Sequence, residues 1–390
     1  MTAKRKLLLL SGLLLLGGCV NNSSSITSES GGEDTSSLPP VSSATSLETS
    51  TSSEETPQTH YENPVWEPVL ADPTIIRGED RMFYAYGTND NAEWGDYFGV
   101  KWGPILKSPD LVNWEFEDSV FQISNAPSWG TLGAHIWAPD IIFHNGKYLY
   151  YYSLSVWGDS NPGIGVASGD TPTGPFTDHG KIFTSDEIGV SNSIDQVVIV
   201  EEGRVYMIWG SFMGIYAIEL SSDGLALKNP ETAKDDKILL AGLVTSYWNP
   251  QNHEGAFIRK INNYYYMFLS SGSCCDGHNS SYHVLVARSE NLLGPYVDKE
   301  GRAMANQDSN GTLVLGGNER FVGVGHNTLV ADDAGDWWIL YHGFDKRKEP
   351  QYGTTNRRSL LLDKLLWTKD GWPYVANYGA SYEHEVPYIT

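Results

Sequence analysis

The chain has 390 residues, enough for one large domain or two small ones, and carries 26 basic against 48 acidic side chains for a formal charge of -22. A chain this acidic is repelled by nucleic acid and by anionic lipid, which sets both aside as direct partners. Its 22 tyrosines and 13 tryptophans suit a β-rich fold and, beyond the core, stacking on sugar rings.

The first segment, "MTAKRKLLLLSGLLLLGGC", has a basic start at Lys4, Arg5 and Lys6, then an apolar stretch too short for a good membrane span. It reads as an export signal over residues 1–19. Its end resembles the bacterial lipoprotein box, in which cleavage leaves Cys19 at the new N-terminus to carry lipid. An ordinary secretory signal is the alternative. Residues 20–60 are Ser, Thr, Glu and Pro with little to bury, and read as a disordered tether. The expected product is an enzyme or receptor held outside a bacterial membrane.

One phrase then recurs five times. Asp72 begins "DPTIIRGEDRMFYAYG", Ala138 "APDIIFHNGKYLYYYS" and Asp195 "DQVVIVEEGRVYMIWG". Glu254 begins "EGAFIRKINNYYYMFLS" and His326 "HNTLVADDAGDWWILYHG". Each is a short apolar strand, a polar turn and an aromatic strand, which is a hairpin pattern. The starts lie roughly 55 to 70 residues apart, with further strand pairs such as "GPILKSPDLVNWEF" and "YHVLVARSENLLGPYVD" between them. No long amphipathic helix pattern intervenes. The expectation is an all-β, five-bladed β-propeller over residues 61–390, with its ring closure left open.

In a propeller the innermost strands converge on the axis. A gap-free alignment of the first four phrases places Asp72, Ala138, Asp195, Glu254 and His326 on one central ring. Three carboxylates and a histidine are hard to explain as packing, because buried like charges are costly. Asp195 and Glu254 come from neighbouring blades, and Asp72 is one blade removed from each. If the adjacent pair is about 5 Å apart, pentagon geometry puts the distant pair at roughly 8 Å, the range of an inverting glycosidase that admits a water. A close pair pushes one pKa up and makes a proton donor; an isolated carboxylate stays ionised as a base.

The segments "ADPTIIR", "WAPDIIFHNGKYLYYYS", "NSIDQVVI", "HEGAFI" and "GHNTLV" resemble glycoside hydrolase family 43, in its arabinanase branch. The resemblance implies an inverting five-bladed propeller that cleaves arabinosyl or xylosyl linkages, with α-1,5-linked arabinan as substrate and endo action expected. It implies Asp72 as general base, Glu254 as general acid and Asp195 as the residue that raises and orients the acid. His326 matches a histidine beside a metal ion, calcium or another, held largely through water. Trp137, Asn192, Ser211 and Phe212 match substrate-contact positions. Gln196 departs from the family's proline after Asp195, and Asp140 reads as structural. The adjacent Cys274 and Cys275 fit the arabinanase branch; a disulfide between them and two small thiols both remain open.

Two other readings stand beside this one. A β-xylosidase or α-L-arabinofuranosidase of the same family is the first, disfavoured because the chain ends soon after the fifth phrase without an added β-sandwich. A non-catalytic, lipid-anchored sugar-binding propeller is the second, disfavoured because all three carboxylates are present. The expected partner is plant cell-wall arabinan or its oligosaccharides, at the cell surface or outside it.

Overall fold

The computed structural model describes residues 58–90, 99–242, 252–306 and 309–390. The signal, Cys19 and nearly all of the tether lie outside the described residues.

Five antiparallel sheets follow one another along the chain. Blade one pairs Thr74–Arg77, Phe83–Tyr86, Trp102–Ser108 and Glu115–Phe121 in that order. Blade two pairs His135–His144, Lys147–Ser155, Gly163–Gly169 and Thr177–Thr184. Blade three pairs Val197–Glu201, Arg204–Trp209, Ile215–Glu219 and Ile238–Ala241. Blade four pairs Glu254–Ile261, Tyr264–Ser271, His283–Ser289 and Thr312–Leu315. Blade five has three strands, Phe321–Ala331, Trp337–Asp345 and Ser359–Lys364. Among the described residues the α-helices are two four-residue turns, Ser185–Ile188 and Ala233–Asp236.

Turn chemistry sets the hairpins. Asn145-Gly146 and Glu202-Gly203 both have positive φ and link two-residue hairpins, the backbone that matches strand twist. The second strand of each blade lies between two neighbours and is buried on both faces, which is why it is aromatic. Tyr150, Tyr151 and Tyr152 have no exposed surface, and each contributes on the order of 2 kcal/mol by burial. Tyr150 packs its ring on Tyr86 of blade one at 5.7 Å, so these rings join one blade to the next.

The ring closes through the N-terminal segment. Val65 N–H donates to Leu360 O at 2.9 Å, and Leu360 N–H donates back to Trp66 O at 3.1 Å. Asn63 Oδ1 accepts from Leu362 N–H at 2.9 Å while its Nδ2 donates to Leu362 O at 2.8 Å. The segment thus lies along the free edge of Ser359–Lys364 and covers it.

The structure corrects the alignment of the fourth phrase. Asp72, Ala138, Asp195 and His326 share φ values of 54°, 38°, 59° and 51°, and in blade four it is Gly255, at 56°, that shares them. The pairing register agrees. Trp137 opposes Ser153, Glu254 opposes Ser270 and Gly325 opposes His342, and each pair is followed by a bulge. Glu254 therefore stands one residue before the ring position, in register with Trp137. A Cβ on Gly255 would stand 3.0 Å from the His326 imidazole, so a side chain there would crowd that ring.

Candidate active site

Each inner strand, or the segment leading into it, contributes a residue to one cavity of about 1350 Å³. Asp72, Trp137, Asn192, Asp195, Ser211, Phe212, Glu254 and His326 all line it. Every residue singled out from sequence for the site is therefore brought together, although the blades that carry them are separated along the chain. Six non-glycine residues at or beside this cavity hold positive φ: Asp72, Ala138, Asn192, Asp195, Phe212 and His326. Strain of this kind persists only where surrounding bonds over-determine the backbone.

Those bonds follow a pattern. The N–H of a ring residue donates to a side chain near or just past the end of the preceding blade's second strand. Ala138 N–H donates to Thr88 Oγ1 at 2.9 Å, Asp195 N–H to Ser153 Oγ at 3.0 Å and His326 N–H to Ser270 Oγ at 2.8 Å. Asp72 N–H donates to His342 Nδ1 at 3.0 Å. Blade four breaks the pattern: Gly255 N–H donates to the Asp195 carboxylate at 3.2 Å. The hydroxyl of Ser211 is freed for Glu254 and donates to its Oε2 at 2.7 Å. Asp195 is thereby bonded to the peptide that follows Glu254.

The three carboxylates sit in opposite electrostatic surroundings. Burial pulls the Asp72 pKa up, but Arg358, His326 and His342 together hold it well below the usual range. Arg358 Nη1 lies 2.8 Å from Asp72 Oδ1, and Thr88 donates to Oδ2 at 2.5 Å. Asp195 is raised well above its ordinary value by burial and then by the charges of Glu254 and Asp72. Glu254 is also raised, by burial first, against the opposing hydrogen bond of Ser211 and the nearby Tyr282 hydroxyl. Asp195 and Glu254 therefore hold a proton to higher pH than free carboxyls do, while Asp72 stays ionised.

Around this core, Trp137 sets its ring 6.1 Å from that of the exposed Trp157, and both line the cavity. Asn192 Nδ2 donates to Ser211 O at 3.3 Å, and Phe212 N–H donates to His253 O at 3.0 Å. Cys274 and Cys275 form a disulfide and also line the cavity, resolving the alternative left by the sequence. Asp140 does not line it. Its carboxylate accepts from Thr74 Oγ1 at 3.0 Å and from Val198 N–H at 2.7 Å, joining blades one, two and three.

Direct ligation of a hard cation at His326 does not fit. Calcium takes six to eight oxygens, whereas His326 offers a nitrogen 3.4 Å from an Asp72 oxygen that Arg358 already pairs. Among the described residues there is no group of three or more His, Cys, Asp or Glu placed to hold a metal ion.

Sequence reasoning missed Arg358, His342, Tyr282 and Thr88. The signal for His342 was present: it occupies the strand-end position of Ser153 and Ser270 in the repeated phrase. Arg358 lies in no repeat and had no such signal.

A five-bladed propeller with an ionised carboxylate facing a proton-holding pair is the arrangement of a glycosidase that works by acid and base. The chain belongs to family 43 of the glycosyl hydrolases, whose model matches residues 61–373. An extracellular exo-α-(1→5)-L-arabinofuranosidase of Cellvibrio japonicus (strain Ueda107) is 34% identical over 288 residues, covering 70% of this chain and 79% of the relative. An extracellular endo-α-(1→5)-L-arabinanase of Bacillus subtilis (strain 168) is 31% identical over 316 residues, covering 78% and 87%. The solved structure of a Cellvibrio cellulosa α-L-arabinanase complexed with arabinohexaose superposes with a TM-score of 0.67 at 29% identity, covering 81% of this chain and 99% of that one.

Proposed function

We propose that this glycosidase cleaves α-1,5-linked L-arabinan with inversion, and acts within the chain. The observation that carries the reading is the electrostatic contrast across one cavity, with Asp72 held ionised and the Asp195–Glu254 pair holding a proton. The names of the relatives supply the substrate class.

In this mechanism a water attacks the anomeric carbon and gives its proton to Asp72 as the carbon–oxygen bond forms. The glycosidic bond breaks on the opposite face, and its oxygen takes the proton of Glu254. Asp195 keeps Glu254 protonated and fixes its backbone through Gly255. Exchange with solvent then resets both groups. Trp137, Asn192, Ser211 and Phe212 are proposed to position the sugar.

Endo action is supported by volume. The cavity, at about 1350 Å³, exceeds the roughly 300–1,000 Å³ of a single small-ligand pocket and has room for several sugar units. The similarity to an exo-acting relative favours the alternative, and the size of the earliest products separates the two. The test is product analysis on debranched arabinan and on xylan, with the released anomer followed by NMR. Wild type is expected to give inverted arabino-oligosaccharides, and Glu254→Gln none. Near-normal cleavage by Glu254→Gln would overturn the assignment, and preferential cleavage of xylan would move the substrate to xylosides.

Two accompanying proposals concern surroundings. A calcium or similar ion is proposed to associate near His326 through its water shell; a chelator should lower Tm in wild type and leave His326→Ala unmoved. The protein is proposed to be held at the cell surface by lipid on Cys19, in keeping with the extracellular relatives. Cys19→Ala should then release it to the medium.

A further inference from the structure

Four of the five ring positions have their backbone held by a side chain in or just past the preceding blade's second strand, and three of those four holds are hydroxyls: Thr88, Ser153 and Ser270. The fourth, the one that holds Asp72, is the imidazole of His342. A hydroxyl meets the need for an acceptor, so the imidazole calls for a further reason. Its position supplies one. His342 is fully buried, and its Nδ1, which accepts from Asp72 N–H, also lies 3.3 Å from Asp72 Oδ1. On its other side the ring stacks on Tyr282, with centroids 5.7 Å apart and planes at 13°. Tyr282 and Glu254 both line the cavity, close enough that each perturbs the other's ionisation.

A line of side chains therefore runs from Asp72 through His342 to Tyr282, which lines the cavity beside Glu254. The two rings are held in place from behind. Gly325 pairs with His342 across the strands of blade five, and a Cβ there would come within 2.4 Å of the Tyr282 ring. The missing side chain is what lets the tyrosine lie flat. Tyr282 comes from blade four and His342 from blade five, so the stack also spans the junction between the blade of the acid and the last blade of the ring.

We propose that His342 and Tyr282 are positioning residues, a stacked pair that fixes the Asp72 carboxylate and the Glu254 carboxyl at one separation across the cavity. The inference rests on the assignment of Asp72 and Glu254 made above. Inversion needs a gap that admits one water, and a displacement of about 1 Å in such a site costs up to roughly a hundredfold in rate. A stacked pair of buried rings holds that gap more tightly than two independent hydroxyls would.

The test measures kcat and KM on debranched arabinan, with Tm and circular dichroism, for His342→Ala, His342→Asn, Tyr282→Phe, Tyr282→Leu and the His342→Asn/Tyr282→Leu double variant. His342→Ala is expected to lower kcat by roughly tenfold or more with KM little changed. His342→Asn, whose amide oxygen takes the place of Nδ1, is expected to recover part of that loss. Tyr282→Leu should cost more than Tyr282→Phe, which keeps the stack, and the double variant should lose less than the product of its two single losses. Unchanged kcat in folded His342→Ala, or losses that multiply independently in the double variant, would overturn the inference. If His342→Ala fails to fold, the comparison of Tyr282→Phe with Tyr282→Leu decides it. Asp72→Asn and Glu254→Gln run alongside: activity in those would sink the assignment itself, whereas activity confined to the His342 and Tyr282 variants would sink only the stack.

Discussion

Arg358 donates to Asp72 Oδ1 at 2.8 Å across 286 positions of sequence. The arginine precedes the third strand of the last blade, and the aspartate precedes the first strand of the first blade. The same ring closure that completes the fold therefore brings a cation to the proposed base.

Removing that cation should move the base. Burial raises the Asp72 pKa, and Arg358 is the largest influence that lowers it. In Arg358→Met the base stays protonated to higher pH, so the acidic limb of the kcat/KM profile should shift upward. Arg358→Lys should shift it less, since a single ammonium keeps the charge without the planar fork. A pH–rate series on debranched arabinan checks both. An unmoved acidic limb in Arg358→Met would separate Arg358 from the ionisation of Asp72.

Ser211 acts on the other limb. Its hydroxyl donates to Glu254 Oε2 and opposes the upward pull of burial on that carboxyl. Ser211→Ala should raise the acid's pKa further and carry the alkaline limb to higher pH. A hydrogen bond to a charged group contributes about 1.5–3 kcal/mol, so roughly a tenfold or greater fall in kcat should accompany the shift. The measurement is the same profile, read at its alkaline side.

Asp140 gives a stability signature separate from chemistry. Burial raises its pKa from 3.8 to about 6. A carboxyl raised on folding adds stability that is fully present below its unfolded pKa and is lost as pH rises through the folded one. Chemical denaturation between pH 4 and 7 should show wild type losing a component of stability that Asp140→Asn does not lose. Parallel curves for the two proteins would rule out a titrating Asp140.

Gly255 tests the corrected alignment. At φ 56°, with an added Cβ only 3.0 Å from the His326 ring, a side chain there would be both strained and crowded. Gly255→Ala should cost ~1–2 kcal/mol from the left-handed backbone alone, more as His326 is displaced. Tm and urea denaturation read the loss. A variant as stable as wild type would show that the position is not so constrained.

The five hairpin phrases made the propeller legible, because each blade needs the same pattern of a short inner strand, a tight turn and an aromatic second strand. Trp137, Asn192, Ser211 and Phe212 were found through family resemblance and do meet at the cavity. The displacement of Glu254 was not legible. Asp72 and Glu254 both head their phrases, and only the bulge after Glu254, with Gly255 at positive φ, shows that they are not equivalent. Arg358 escaped because it precedes a third strand outside every phrase, and Tyr282, although it heads the quoted "YHVLVARSENLLGPYVD", because nothing in that strand pair marks it as reaching the cavity. Closure escaped because Trp66 and Leu360 carry no mark of pairing with each other.

That closure has a further consequence. Leu70 N–H donates to Arg358 O at 3.0 Å, four residues beyond the segment that seals the last sheet. Peeling the seal would loosen the peptide that presents the guanidinium before any blade came apart. Heat or mild denaturant should then silence the enzyme while its circular dichroism is still that of the native sheet, and cooling should revive it without refolding.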